Sequence, residues 1–229
     1  MKLNNTELHA LFIEKGVTRL FHANTVSTSI MFIQQNGLLS RGGVESKGLF
    51  QTPQSSDEID KRFNIWNDVF IDTVDLHGYF PRQNLYGPVS FQFSIDFLLN
   101  EDYDVWITKD NPIYWSDAMT DENKYFQSVE ELRTNWDLYQ RQKKMVAIRN
   151  MTEPVLFDYL IEAIVDDPRV KIGERSLFKE CVAGIKGAIS TQPALMNKFR
   201  TRECTSCFCR DNYLNQVSVP ELKKLFLSN

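Results

Sequence analysis

The chain has 229 residues, 42% apolar and 24% charged, with a net charge of −4. Phe is abundant at 16 and Gly scarce at 10, which supports one sizeable core and excludes disordered and fibrous classes. No run approaches the roughly 20 apolar residues of a membrane span, and residues 1–15 lack the basic and apolar runs of a signal peptide, so the expectation is a cytoplasmic protein without a membrane partner.

In chain order, residues 18–23 read as a short strand ending in His22 and Ala23. Asn24 or Thr25 can cap a following helix, on which Val26, Ile30 and Ile33 fall on one face. Gly37 stands where that helix needs a left-handed residue to stop, and residues 38–43 are expected to leave as turn and loop. Residues 48–63 read as a long polar surface loop of the length that is often functional. Residues 66–76 suggest a partly buried strand. Residues 89–97 alternate apolar and polar residues, which predicts a strand with one buried face. Further strands are expected at 103–108, 144–149 and 160–165, and helices at 130–142, 177–189 and 220–226. Helices early, strands in the middle and a mostly helical end predict an α+β fold. No Gly-x-Gly-x-x-Gly and no phosphate-binding Gly-Lys-Ser/Thr loop supports other nucleotide folds.

Charge divides the chain. Residues 1–168 carry 15 Lys+Arg against 25 Asp+Glu, and residues 169–229 carry 11 against 5. The first part is expected to be the main domain and the second a basic, helical extension. A cationic end suits a polyanion, although a solvated surface explains it equally well. The extension also holds Cys204, Cys207 and Cys209. With Cys181 folded back, they would make a tetrahedral four-sulfur zinc site; the plain alternative is packed or free thiols. Phe208 and Tyr213 beside that knuckle could stack on bases.

Leu20-Phe21-His22-Ala23-Asn24-Thr25, the helix after it, and Gly37-Leu38-Leu39-Ser40-Arg41-Gly42 together resemble the first NAD-binding segment of the DarT-like nucleic-acid ADP-ribosyltransferases. Asp75-Leu76-His77-Gly78-Tyr79-Phe80-Pro81 is similar to that family's Leu-His-x-Tyr-x-Pro segment. Within the group, the chain looks nearest to the mRNA-modifying toxins of anti-phage toxin–antitoxin–chaperone systems, the CmdT type. The resemblance implies an ADP-ribosyltransferase-like fold with a small mixed sheet and flanking helices, and NAD as substrate. His22 would bond a ribose hydroxyl, since an imidazole can donate and accept at once. Asn24 and Thr25 would add polar contacts. Arg41 would pair with a phosphate. Tyr79 and Tyr86 would flank the nicotinamide.

The family places a Glu at or just before a late strand, where it steadies the oxocarbenium-like ribose. Residues 140–143 ahead of the strand at 144–149 contain none, so the nearest candidates are Glu130 and Glu131, or Glu153 just after it. The expectation is therefore an NAD-dependent toxin that transfers ADP-ribose to nucleic acid, RNA ahead of DNA, in antiviral defence. An antitoxin and a chaperone are the implied protein partners. The rival reading is a nucleic-acid- or partner-binding protein that keeps the fold without the carboxylate. An RNA 2′-phosphotransferase ranks lower, because the chain has only His9, His22 and His77 for its phosphate site.

Overall fold

The computed structural model describes residues 2–79, 85–205 and 207–228. Its strands are β1 (Arg19–Asn24), β2 (Val69–Asp72), β3 (Val89–Ser94), β4 (Val105–Thr108), β5 (Met145–Ile148), β6 (Leu160–Asp167), β7 (Lys171–Ile172), β8 (Arg175–Ser176) and β9 (Phe199–Glu203). Its helices are α1 (Asn5–Glu14), α2 (Val26–Gln34), α3 (Arg41–Ser46), α4 (Asp57–Arg62), α5 (Leu76–Tyr79), α6 (Asp121–Lys124), α7 (Val129–Thr134), α8 (Leu177–Ile189), α9 (Phe208–Asn215) and α10 (Val219–Phe226). Seven strands make one sheet in the order β4-β5-β2-β1-β3-β6-β9. Neighbours are antiparallel except β6 and β9, which are parallel, so the sheet is mixed and the fold is α+β as expected. Helices α2, α8 and α10 pack together, while α1 packs on α7 and on the 3-10 turn Ile95–Leu99. Among the described residues, no helix is long and apolar enough to cross a membrane.

Local signals place several elements well. Thr25 caps α2 by accepting the Thr28 N–H, and Val26 and Ile33 bury the stripe that the spacing predicts. Helix α8 has the expected bounds, with Leu177, Cys181, Ile185 and Ala188 facing the core.

Other expectations change. Strand β3 lies between β1 and β6 and is buried on both faces, so even its Ser90 and Gln92 are enclosed. The helix expected over 130–142 stops at Thr134. Tyr139 and Lys143 adopt left-handed backbone (φ 56° and 60°), and the Lys144 ammonium draws in the Leu138 carbonyl at 2.7 Å. The exit at 38–43 is not all loop. Ser40 caps α3, which begins at Arg41. The segment 48–63 contains α4, and its Thr52 is buried.

Residues 169–229 do more than form helices. They return as β9, which pairs with β6 from Ala163↔Phe199 to Asp167↔Glu203. The division expected at residue 168 thus runs between two hydrogen-bonded strands.

Two glycines set close approaches. The left-handed residue that ends α2 is Asn36 (φ 54°), not Gly37. Gly37 instead lets the chain touch Pro154 and Val155, where a Cβ would sit 2.6 Å from the Pro154 Cβ. Gly87 has φ +110°, and a Cβ there would lie 2.5 Å from the Asn24 carbonyl oxygen. Gly87→Ala combines backbone strain with a backbone clash, and each is worth roughly 1–3 kcal/mol. The expected outcome is a loss of about 2–4 kcal/mol in denaturant unfolding, with the turn at Asn24–Thr25 displaced.

Candidate active site

Strands β1 and β2 pair at one described register position, Phe21↔Asp72. Beyond it the ladder gives way to a side chain. The His22 Nδ1–H donates to the Phe70 carbonyl at 2.9 Å, and the Asn24 amide donates to His22 Nε2 at 3.3 Å. This opening of the sheet borders a cavity of about 830 Å³, within the range of small-molecule sites. His22, Asn24, Thr25, Arg41 and Tyr86 all line it. Five of the six residues expected to hold NAD therefore share one wall system. The side chain of Tyr79 lies outside the described residues, as do Phe80 and Pro81.

The bond to Phe70 fixes the tautomer of the half-buried His22 ring. Burial pushes its pKa down to about 4, against the pull of the Phe70 carbonyl and with help from the Arg41 charge. The ring is neutral at physiological pH, with its Nε2 lone pair on the Asn24 side. In the unfolded chain a His titrates near 6.5. The unfolded state thus binds the extra proton between those two values, and His22 makes stability rise with pH from about 4 to 6.5. Thermal melts across that window should show His22→Phe losing less stability on acidification than the parent chain.

Threonines pin the polar segment onto α2. The Thr25 and Thr52 hydroxyls lie 2.7 Å apart, and the Thr52 N–H donates to the Thr28 hydroxyl at 3.0 Å. Arg41 donates from Nη1 to the Thr52 carbonyl at 3.0 Å and faces Asp57 at 3.3 Å through Nε. Burial lowers its pKa, while Asp57 and Asp60 hold the charge in place. Burial also raises the Asp60 carboxyl to about 7, against the attraction of Arg41. An anion entering beside Arg41 would meet a guanidinium that already has one carboxylate partner.

The expected carboxylates are elsewhere. Glu130 and Glu131 sit on α7 and do not line the cavity. Glu130 is exposed and pairs with Arg133 at 2.9 Å. Glu131 pairs with Lys109 at 2.5 Å and accepts the Gln127 N–H at 2.7 Å. Proximity to β5 along the chain does not carry α7 round to the open end of the sheet. Glu153 pairs with Lys47 on the surface. Lys144, at the start of β5, turns away among Trp136 and Phe126.

The carboxylates that do line the cavity include Asp60, Asp68 and Asp72, which the sequence reading passed over. Asp68 faces Arg149 at 2.7 Å. Asp72 ends β2, opposite Met145 of β5, and accepts a bond from Gln142 Nε2 at 3.1 Å. Its place at the end of the run Val-Phe-Ile-Asp was the available signal.

The second sequence match serves as scaffold. His77 is buried; its Nε2 donates to the Gly87 carbonyl at 2.6 Å, and its Nδ1 forms an ion pair with Asp166 at 2.7 Å. Burial alone would lower its pKa, but the Asp166 carboxylate outweighs that and lifts it to about 9. Asp166 also accepts from Arg202 Nε at 2.6 Å and Nη2 at 2.9 Å, and Arg202 Nη1 reaches Asp75 at 2.6 Å. These four charges tie α5, β6 and β9 together beside the cavity.

Near them, the sulfurs of Cys204, Cys207 and Cys209 lie within 4.8 Å of one another. Cys181 is not in that group, because its place on the apolar stripe of α8 sends it into the core. Tyr213 cannot stack on bases. It is fully buried, edge-on to Phe226 at 5.0 Å, whereas Phe208 is exposed.

Among solved structures, the DarT of Thermus sp. 2.9 in complex with ADP-ribosylated ssDNA has this fold. It is 13% identical, with a TM-score of 0.52, covering 86% of this chain and 96% of that one. The complex of the same protein with NAD+ gives 12% identity and a TM-score of 0.49, covering 86% and 97%. No family model and no curated protein matches the chain. The likeness is one of fold: this chain shares the architecture of that protein.

Proposed function

We propose that the chain is an NAD-dependent ADP-ribosyltransferase of the cytoplasm that modifies nucleic acid and acts as a toxin. The observation that carries this reading is the neutral His22 ring in the opening between β1 and β2, lining a cavity of about 830 Å³. A neutral imidazole whose Nε2 lone pair accepts only a long 3.3 Å bond from Asn24 suits a ribose hydroxyl, which can displace that bond. Arg41 supplies positive charge for the pyrophosphate. Tyr86 offers a ring beside the cavity for the nicotinamide.

Asp72 takes the part of the missing glutamate in this reading. It stands one strand away from the start of β5, where Lys144 offers no carboxylate, and Gln142 orients it toward the cavity wall. A fixed negative group there stabilises the positive charge that grows on the ribose as the nicotinamide bond breaks. The acceptor is nucleic acid. The sequence resemblance favours RNA, and the solved likeness was captured with ADP-ribosylated ssDNA. An antitoxin restrains the activity, a chaperone supports that partner, and the setting is anti-phage defence.

The test is transfer of label from adenylate-labelled NAD to RNA, ssDNA and a protein mixture, offered separately. Label on RNA supports the full reading, and label on ssDNA alone moves the acceptor to DNA. Label on protein alone removes the nucleic-acid claim. Lys144 in place of a carboxylate favours one rival, a binding protein without turnover. Saturable NAD binding with no label on any acceptor would establish it.

A further inference from the structure

We propose that Cys204, Cys207 and Cys209 form a three-thiolate site for a single zinc ion, whose fourth ligand comes from solvent at the half-buried Cys207. This site is separate from the cavity and does not depend on the proposed reaction.

The chain converges on it from two elements. Cys204 directly follows β9 and is anchored by its N–H, which donates to the Asp167 carbonyl at 3.0 Å. Cys207 is the N-cap residue of α9, and Cys209 lies in the first turn of that helix. Cys204 and Cys209 are buried, and Cys207 is half-buried. A tetrahedral zinc with bonds of about 2.3 Å holds its sulfurs about 3.8 Å apart. Three sulfurs already within 4.8 Å of one another need to close by no more than about 1 Å around one ion.

Buried cysteines also serve as small apolar residues, as Cys181 does in α8. The surroundings of the cluster argue against that use. His77 and Asp166 both lie near enough for their charges to act on Cys209, with opposite signs. Among the described residues the fully buried Tyr213 hydroxyl has no hydrogen-bond partner, and it feels the charges of Cys209 and Cys204. A buried hydroxyl donor without a partner among the described residues suits anionic sulfur better than apolar thiols. On binding, the three thiols release their protons to solvent, and zinc with three thiolates carries one net negative charge. Because α9 packs on α5, which leads into the cavity wall, the ion would also brace that wall.

The full chain, purified under reducing conditions and stripped with chelator, should take up one zinc per chain and melt at a higher temperature with it. Cobalt(II) used as a probe should give a thiolate-to-metal charge-transfer band of tetrahedral type. Cys207→Ser is the informative variant. Serine caps a helix well, so the fold should persist, while zinc affinity should fall more than roughly 100-fold, beyond the effect of losing a supporting partner. Cys181→Ser should bind zinc as the parent does. Two results would overturn the site: a reduced, folded chain that takes up no stoichiometric zinc, or Cys207→Ser binding as tightly as the parent. Neither bears on label transfer from NAD, so the fate of the cavity reading is decided separately.

Discussion

Asp166→Ala is expected to destabilise the chain by about 3–5 kcal/mol, the range for removing one partner from a buried ion pair. Asp166 is 1% exposed and is the hub of its network. Its carboxylate pairs with His77 at 2.7 Å and accepts from Arg202 at 2.6 and 2.9 Å. Without it, the buried His77 and the partly exposed Arg202 remain with only Asp75 between them. For a domain of this size, each kcal/mol moves the melting temperature by about 2–4 °C, so a drop on the order of 10 °C should appear in a thermal melt. Asp166→Asn keeps an acceptor for the His77 N–H and should fall between the parent and the alanine variant. Equal melts for all three would mean that the network contributes nothing net.

That network shows how far the sequence could be read. The segment around His77 is recognisable as a motif through its resemblance to the family's Leu-His-x-Tyr-x-Pro pattern, with Tyr79 as its candidate ligand residue. The partners of that segment, Asp166 and Arg202, come from strands about 90 and 125 residues later. No local pattern marks them, because a buried ion pair is a property of the assembled sheet. Strand β9 was missed for a related reason. Phe-Arg-Thr-Arg-Glu is an edge strand, mostly exposed, and its charges mask any apolar alternation.

The unit from β1 through α2 was legible because both its chemistry and its structure are local. A cap, an apolar stripe and a stop occur in order, and His22 follows from where the strand ends. Glu130 and Glu131 are near β5 along the chain, but α7 packs on α1 and neither residue lines the cavity, a placement that only the assembled sheet reveals. Cys181 could have been placed correctly from the sequence. Its spacing of four from both Leu177 and Ile185 puts it on the core face of α8, away from any shared site with the later cysteines.

The larger functional effect is expected at Asp72. Asp72→Asn should lower the rate of ADP-ribosyl transfer by about 10²–10³-fold, as loss of one preorganised electrostatic group typically does. The change preserves shape, so NAD affinity should move little, and a fall in kcat without a matching rise in KM is the signature of a group that acts in the transition state. Gln142→Ala provides the second measurement. Gln142 bonds Asp72 at 3.1 Å from a buried position, so its loss should slow turnover less than Asp72→Asn and add little to it in the double variant. Glu131→Gln should leave turnover unchanged, since that carboxylate is held by Lys109 outside the cavity. Full activity in Asp72→Asn would remove the aspartate from the mechanism. The next carboxylate on the cavity wall would then be Asp60, whose pKa near 7 predicts activity that climbs through neutral pH as it ionises.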